Sequence, residues 1–191
     1  TRAQMQECGL QEDFFCRAIG RTRDCEGTRL LPDQLDVLEQ AVRPTWLLNL
    51  STQPTDCLPA PLQDYLQRGE AAGLHLRPLI RSRRPWYKME KRLPPPILFA
   101  YLGRRTCRFI LNEAGVVPLT GFLCVYPRDA SPGGIQRLWR ALNHPQTIEN
   151  LRYVAKSYGR GALKVEPRGL ERLQIPRSAW DHALIELPPA G

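Results

Sequence analysis

The stretch Ile97-Leu98-Phe99-Ala100-Tyr101-Leu102 follows three consecutive prolines and is the first of three apolar, strand-like runs. The second and third runs cover residues 108–111 and 119–126. The connections at 103–105 and 112–115 are short enough for hairpins. The sequence therefore predicts three strands joined by tight turns.

A helix with one apolar face is expected after these strands. Ser131 and Pro132 are a typical helix start, because serine can cap the first turn and proline fits its backbone angles. Apolar residues then recur at helical spacing, at Ile135, Leu138, Trp139 and Leu142.

Further elements are predicted on both sides of this region. A second helix from about Thr147 is expected to end at 157–161, before a strand at 162–165 and a short helix at 166–173. Upstream, the pattern favours strands at 14–20 and 45–50 and helices at 30–42 and 61–72, the last stopped by Gly73. Strands and helices mix without a βαβ rhythm, so the predicted class is α+β: a mixed or antiparallel twisted sheet, or a partial barrel, flanked by short helices.

The charge of the chain is unevenly distributed. Residues 1–75 carry 7 Lys/Arg against 11 Asp/Glu, whereas residues 76–191 carry 20 against 8. The densest stretch, 77–92, holds seven basic residues, one acid and the aromatic pair Trp86 and Tyr87. One-sided positive charge is typical of a polyanion-binding face, and the embedded aromatic residues argue against a merely solvated surface.

The same boundary suggests a division of the chain. A length of 191 residues allows one domain or two small lobes. We expect residues 1–75 to be a connecting segment that packs on a basic recognition domain at 76–191; one continuous domain, 1–191, is the alternative. The polar N-terminus lacks an initiator Met, which suggests a fragment of a longer protein.

Several classes of site are disfavoured. The six cysteines lack the close pairs of a structural zinc site, so we expect no metal. Four of them lie in or beside apolar stretches and are expected to be small buried hydrophobes in a reducing cytoplasm. The three histidines show no triad pattern, and the glycines at 159 and 161 follow a predicted helix and not a strand, so neither a catalytic centre nor a cofactor-binding loop is expected in this chain. No apolar run reaches the length of a membrane span.

Two blocks of sequence resemble a known family. The first runs from Tyr65-Leu-Gln-Arg-Gly-Glu70 through Arg83-Arg-Pro-Trp-Tyr87 to Arg108-Phe-Ile-Leu-Asn112. The second runs from Leu142-Asn143 through Tyr158-Gly-Arg-Gly-Ala-Leu-Lys-Val-Glu-Pro167 to Leu173-Gln-Ile-Pro176. In order and spacing they are similar to the C-terminal target-recognition region of bacterial TaqI-like N6-adenine DNA methyltransferases, and more loosely to specificity subunits of restriction-modification systems.

The resemblance implies a division of labour. A separate N-terminal methyltransferase domain would bind S-adenosylmethionine and take the target adenine out of the helix. This chain would read and grip double-stranded DNA. The residues that we expect to contact DNA are basic, tyrosine or glycine residues of the two blocks and of one hairpin: Arg81, Arg83, Arg84, Tyr87, Lys88, Lys91, Arg92, Arg104, Arg105, Lys156, Tyr158, Arg160, Gly161 and Lys164.

Two residues of the first block are expected to have structural roles. Trp86 is expected to be a core residue, and Asn112 is expected to form a turn more than to read a base.

One alternative function stays open. The alternative to a methyltransferase recognition domain is a free-standing nucleic-acid-binding protein or a specificity-subunit-like adaptor with a basic face. The reading frame upstream of Thr1 would distinguish the two.

Overall fold

The computed structural model describes residues 1–50, 55–89, 93–103, 107–158 and 162–185. The contacts divide the chain into two compact units. The first unit contains Thr1–Ala18 and Val37–Leu93, and the second contains Ile19–Asp36 and the chain from Pro94 onward. The division into a connecting segment, 1–75, and a recognition domain, 76–191, stays a prediction.

The described residues form seven α-helices and ten short strands. The helices are α1 Arg2–Glu7, α2 Pro32–Gln40, α3 Ala60–Ala71, α4 Pro132–Asn143, α5 Pro145–Val154, α6 Pro167–Leu170 and α7 Arg177–Ile185. The strands are β1 Phe15–Ile19, β2 Arg29–Leu30, β3 Trp46–Leu48, β4 Ile97–Ala100, β5 Leu102–Gly103, β6 Arg108–Asn112, β7 Val117–Pro118, β8 Leu123–Val125, β9 Lys156–Tyr158 and β10 Ala162–Lys164. The predicted α+β class is confirmed.

A four-stranded sheet in the order β2-β6-β4-β8 forms the centre of the second unit. β4 pairs antiparallel with β6, as expected for the first hairpin, and also with β8. The second predicted hairpin is wrong. β8 pairs with β4 instead of β6, because the other edge of β6 is occupied by β2 in a parallel pairing that joins Arg29 to Leu111 and Leu30 to Asn112.

The core of the second unit lies between this sheet and α4. Phe99 and Phe109 stack on adjacent strands with ring centroids 4.5 Å apart. The whole apolar stripe predicted for α4 packs on this core, which confirms that prediction. Ser131 caps the helix by accepting a hydrogen bond from the Gly134 amide at 3.1 Å. The Asn143 side chain ties the other end of α4 to β6, donating to the Phe109 carbonyl at 2.9 Å.

The helix that follows α4 differs at both ends from its prediction. α5 begins at Pro145, since proline at the first helical position loses no hydrogen bond. It ends at Val154, before the predicted end at 157–161, and Lys156–Tyr158 form strand β9. α7 was not predicted; its buried face is made of the small residues Ala179 and Ala183, which give a weak apolar signal.

The first unit has its own core. β1 and β3 pair antiparallel, and a group of buried residues joins α3 to the segments around it: Leu50, Leu58, Leu62, Leu66 and Tyr87. Gly73 adopts a positive φ of 70° directly after α3, which confirms its expected role as a helix stop.

Glu39 organises the remaining polar contacts of this unit. Its carboxylate accepts hydrogen bonds from the Trp46 indole and, at 3.1 Å, from the Thr45 hydroxyl, and Arg17 Nη1 lies 2.5 Å away. Burial opposes ionisation of Glu39, but these hydrogen bonds and the charges of Arg17 and Arg2 outweigh it and lower the pKa of the carboxyl. The charged form of Glu39 therefore stabilises the fold.

The cysteines are all free thiols. Cys107 is buried, as predicted, whereas Cys16 and Cys124 are only half-buried and Cys57 is exposed, contrary to prediction. Cys25 is buried, and burial raises the pKa of its thiol to about 12. Among the described residues, no helix combines the length and apolar character needed to cross a membrane.

Candidate nucleic-acid interface

The basic segment, defined as residues 77–88, is built from consecutive turns. The Arg77 carbonyl accepts hydrogen bonds from the amides of Ile80 and Arg81, at 2.8 and 2.9 Å. Arg84 Nη1 donates to the carbonyls of Arg81 and Arg83, at 2.7 and 2.9 Å. Three arginines expected to contact DNA, Arg81, Arg83 and Arg84, thus take part in the turns, so the segment has a defined shape.

The charged groups of the basic segment have few partners inside the protein. Arg83 Nη1 donates to the Lys88 carbonyl at 3.1 Å, which leaves other guanidinium donors available. Arg81, Arg84 and Lys88 are exposed. Within the described part of the chain, no carboxylate forms an ion pair with a basic residue of this segment. Its positive charge is therefore not paired with any carboxylate of the described residues.

The two aromatic residues of the basic segment anchor it to the first unit. Tyr87, which we expected to contact DNA, is only 8% exposed and belongs to the core. Trp86 is half-buried, packs against that core and donates from Nε1 to Glu70 at 2.7 Å. Its ring also lies so close to α3 that a Cβ at Gly69 would be 2.9 Å from it. Both aromatic side chains hold the segment in place.

A second group of predicted residues borders a three-stranded antiparallel sheet in the order β5-β10-β9. Gly103 pairs with Leu163, and Tyr158 pairs with Ala162. Because β5 and β9 both run antiparallel to β10, Gly103 and Tyr158 lie at the same end of the sheet as the start of β10. Two stretches predicted separately to contact DNA, 104–105 and 160–161, adjoin these residues in the sequence. The arginines and glycine of those stretches, Arg104, Arg105, Arg160 and Gly161, lie outside the described residues, as do Lys91 and Arg92 of the other group.

The lysines of this sheet flank one acidic residue. Lys156 Nζ lies 2.8 Å from Glu166 Oε2. The hydrogen bond from Lys156 and the positive charges of Lys156 and Lys164 lower the pKa of the Glu166 carboxyl. Both partners of the ion pair are exposed, so the contact between them exchanges easily with solvent or with a ligand.

Three adjoining concave surfaces lie beside helix α6 and the end of α5, and together we call them the α6 trough. The middle cavity has a volume of about 220 Å³. It shares Glu166 and Arg168 with a cavity of about 560 Å³ on one side. It shares Val154 and Arg172 with a cavity of about 450 Å³ on the other side. Sequence reasoning missed Arg168 and Arg172. The sequence pattern that could have indicated them is a basic residue at every fourth position from 152 to 172: Arg152, Lys156, Arg160, Lys164, Arg168 and Arg172.

Two polar residues of the resembling blocks serve the fold. The Arg108 guanidinium donates to the carbonyls of Gly27, Thr22 and Cys25, the first two at 2.8 and 3.1 Å, and so holds the loop before β2. The Asn112 side chain is buried and makes three hydrogen bonds to nearby backbone. Its assignment as a turn former is confirmed.

The chain was compared with known proteins. The sequence model of a family described as "Type II methyltransferase M.Eco57I, C-terminal domain" matches residues 1–187. The chain belongs to this family. The resemblance inferred from the two sequence blocks is thereby confirmed as a relationship to the C-terminal domain of Type II methyltransferases.

The chain is similar to two bacterial Type II methyltransferases. The Type II methyltransferase M.AccI of Acinetobacter calcoaceticus is 27% identical over 172 residues, which are 89% of this chain and 31% of the relative. The Type II methyltransferase M.XamI of Xanthomonas campestris pv. amaranthicola is 29% identical over 123 residues, or 64% of this chain and 23% of the relative. The chain spans less than a third of the length of either relative. No solved structure matches it.

The methyl donor S-adenosylmethionine does not fit the described cavities. Its sulfonium is a cation, whereas the α6 trough is lined by lysine and arginine side chains with Glu166 as its one carboxylate. Such a donor set favours an anion. Among the described residues, no cluster of His, Cys, Asp and Glu side chains has the geometry to hold a metal ion.

Proposed function

We propose that this chain is the DNA-recognition domain of an adenine-specific DNA methyltransferase of a restriction-modification system, acting in the cytoplasm. It positions double-stranded DNA for N6-adenine methylation by an N-terminal catalytic domain that lies outside the chain. That catalytic domain binds S-adenosylmethionine, which supplies the methyl group. Membership of the C-terminal-domain family supports this division of labour.

The observation that carries the proposal is the placement of Gly103 and Tyr158 at one end of the three-stranded sheet. Arg104, Arg105 and Arg160 follow these two residues within two positions in the sequence. Gly103 and Tyr158 are therefore neighbouring positions of the sheet from which the chain leads, in sequence, into the two basic stretches 104–105 and 160–161. Guanidinium groups suit both phosphate oxygens and the acceptors of guanine in the major groove.

The basic segment supports the same function through a different unit. Its turns are fixed by backbone hydrogen bonds and by the anchored rings of Trp86 and Tyr87. The backbone that carries the exposed side chains of Arg81 and Lys88 is therefore held in place. This lowers the conformational entropy that is lost when these side chains bind a phosphate. Contacts of this kind bind any DNA sequence and set the register of the duplex, while base contacts provide specificity.

Hydrogen exchange of the chain with and without a 20-base-pair duplex tests the proposal. Backbone amides at residues 77–88 and in the sheet β5-β10-β9 should become more protected when DNA is added at low salt. Residues of α1 and α2, which take no part in the proposed interface, are the internal reference. Protection confined to α1 and α2, or an absence of protection anywhere, would contradict the proposed interface.

A further inference from the structure

The α6 trough is a strongly cationic concave surface that the assigned contact residues cover only in part. Its lining includes four basic side chains, Lys156, Lys164, Arg168 and Arg172, against the single carboxylate of Glu166. Lys156 already neutralises that carboxylate in an ion pair. In the part of the chain that the structure describes, neither Arg168 nor Arg172 has an ion-pair partner, and both are exposed.

Tyr153 lies at one end of this trough and is 71% exposed. The Arg152 guanidinium sits 4.8 Å from the centre of its ring, and Arg152 Nη2 donates to the Tyr153 hydroxyl at 2.7 Å. These contacts hold the aromatic side chain in an exposed position. A tyrosine hydroxyl beside cationic groups suits the phosphate and sugar oxygens of a DNA backbone.

A close backbone approach fixes the walls of the trough. A Cβ at Gly169 would lie 2.6 Å from the Val154 carbonyl oxygen, so only glycine lets α6 pack this closely against the end of α5. Arg168 and Arg172, on either side of Gly169, are thereby held next to the Tyr153 end of α5. The shape of the trough therefore follows from the packing of α6 against α5. This packing also holds the backbone that carries Arg168 and Arg172.

We propose that the α6 trough binds the sugar-phosphate backbone of DNA, with Arg168 and Arg172 as phosphate contacts. This inference rests on the proposed function and adds residues that lie beyond the two predicted groups. The charge favours a polyanion, and the trough includes the paired residues Lys156 of β9 and Lys164 of β10. Both lysines belong to the residues expected to contact DNA, so DNA held in the trough would meet them together with Arg168 and Arg172.

The test compares two double variants of the chain, R168A/R172A and R21A/R23A. Arg21 and Arg23 are exposed, lie in the segment before β2 and are not among the residues that line the trough, so the second variant removes the same charge from outside its lining. Binding of a fluorescent 20-base-pair duplex is measured by anisotropy at several salt concentrations. Thermal unfolding of each variant confirms that the fold is retained.

Removal of two phosphate contacts should make the slope of log K against log salt shallower by about 2. If the variant and the unchanged chain bind equally at 1 M salt, a slope that is shallower by about 2 leaves the variant with roughly 100-fold lower affinity at 0.1 M salt. R21A/R23A should change the slope far less. The loss should be the same for duplexes of different sequence, because phosphates carry no sequence information.

Each other outcome has a defined meaning. An R168A/R172A variant with the slope of the unchanged chain, or an equal loss in R21A/R23A, overturns the trough as a DNA site. Binding of a poly-glutamate peptide that R168A/R172A abolishes, with DNA binding intact, assigns the trough to an acidic protein and also overturns it. An unchanged chain that binds no duplex at all overturns the proposed function itself.

Discussion

Replacement of Asn112 by alanine separates a structural residue from a base reader. The side chain is 9% exposed. Its Nδ2 donates to the carbonyls of Pro95 and Val116 at 2.8 and 3.0 Å, and its Oδ1 accepts from the Val116 amide at 3.1 Å. Alanine would leave two carbonyls and one amide without their partner in a region that water reaches poorly.

The expected cost follows from these three bonds. Each contributes about 1 kcal/mol, and unsatisfied buried groups add to the loss, so Asn112→Ala should lower the free energy of unfolding by about 2–4 kcal/mol. For a chain of this size, that corresponds to a fall in Tm of roughly 5–15 °C. Thermal and urea unfolding followed by circular dichroism measure both quantities.

The control is Asn49→Ala, an exposed asparagine in the first unit that should change stability by less than about 0.5 kcal/mol. Folded Asn112→Ala should bind DNA as the unchanged chain does. The reasoning is refuted if Asn112→Ala keeps its Tm but loses affinity for DNA, since Asn112 would then contact bases.

Three further predictions concern packing, pH and thiol chemistry. Gly169→Ala should lower stability by about 1–3 kcal/mol, because its methyl group would meet the Val154 carbonyl; an unchanged Tm would show that the helices can separate freely. Glu39→Gln should cost about 1–2 kcal/mol at pH 7. Since the folded pKa of Glu39 is lowered, its ionised form stabilises the protein above the unfolded pKa of about 4.5, and the stabilisation is lost as pH falls through the folded value. Urea unfolding at pH 7 and pH 3 should therefore show a smaller difference between the two proteins at pH 3, and an equal difference would contradict this. Cys57 should react rapidly with a thiol reagent at pH 8 while Cys25 stays protected until the chain unfolds, and rapid labelling of Cys25, located by mass spectrometry, would exclude its burial.

Local sequence patterns predicted the elements whose stabilising contacts are also local. The stripe from Ile135 to Leu142 and the cap at Ser131 determine where α4 begins and which face it buries, and both are visible in sequence. Gly73 and Asn112 were likewise assigned correctly, because helix stops and turns depend on nearby backbone.

Elements that depend on distant partners were missed. No local signal shows that Leu30 would pair beside Asn112, and this long-range parallel pairing displaced the expected hairpin between β6 and β8. Lys156–Tyr158 extended a helical pattern in sequence, but pairing with β10 makes them a strand. The pairing of distant segments is decided by tertiary contacts and overrides local preference.

The candidate site shows the same limit. Its positive charge was readable from composition, and the basic residues at 77–88 form a presented surface. The sequence did not show which side chains of this segment are buried. Tyr87 lies close to several arginines in the sequence, yet its ring is in a core formed with α3. Arg168 and Arg172 line the α6 trough beside the close approach of Gly169 to Val154, a contact that no local sequence pattern shows.

The central claim is that this chain binds duplex DNA through its phosphates, and a salt titration tests it most directly. Anisotropy of a labelled 20-base-pair duplex, measured with the unchanged chain from low to physiological salt, gives the slope of log K against log salt. Neutralisation of about six phosphates predicts a slope of roughly −5. A chain that binds no duplex at low salt, or whose affinity does not depend on salt, would contradict the claim.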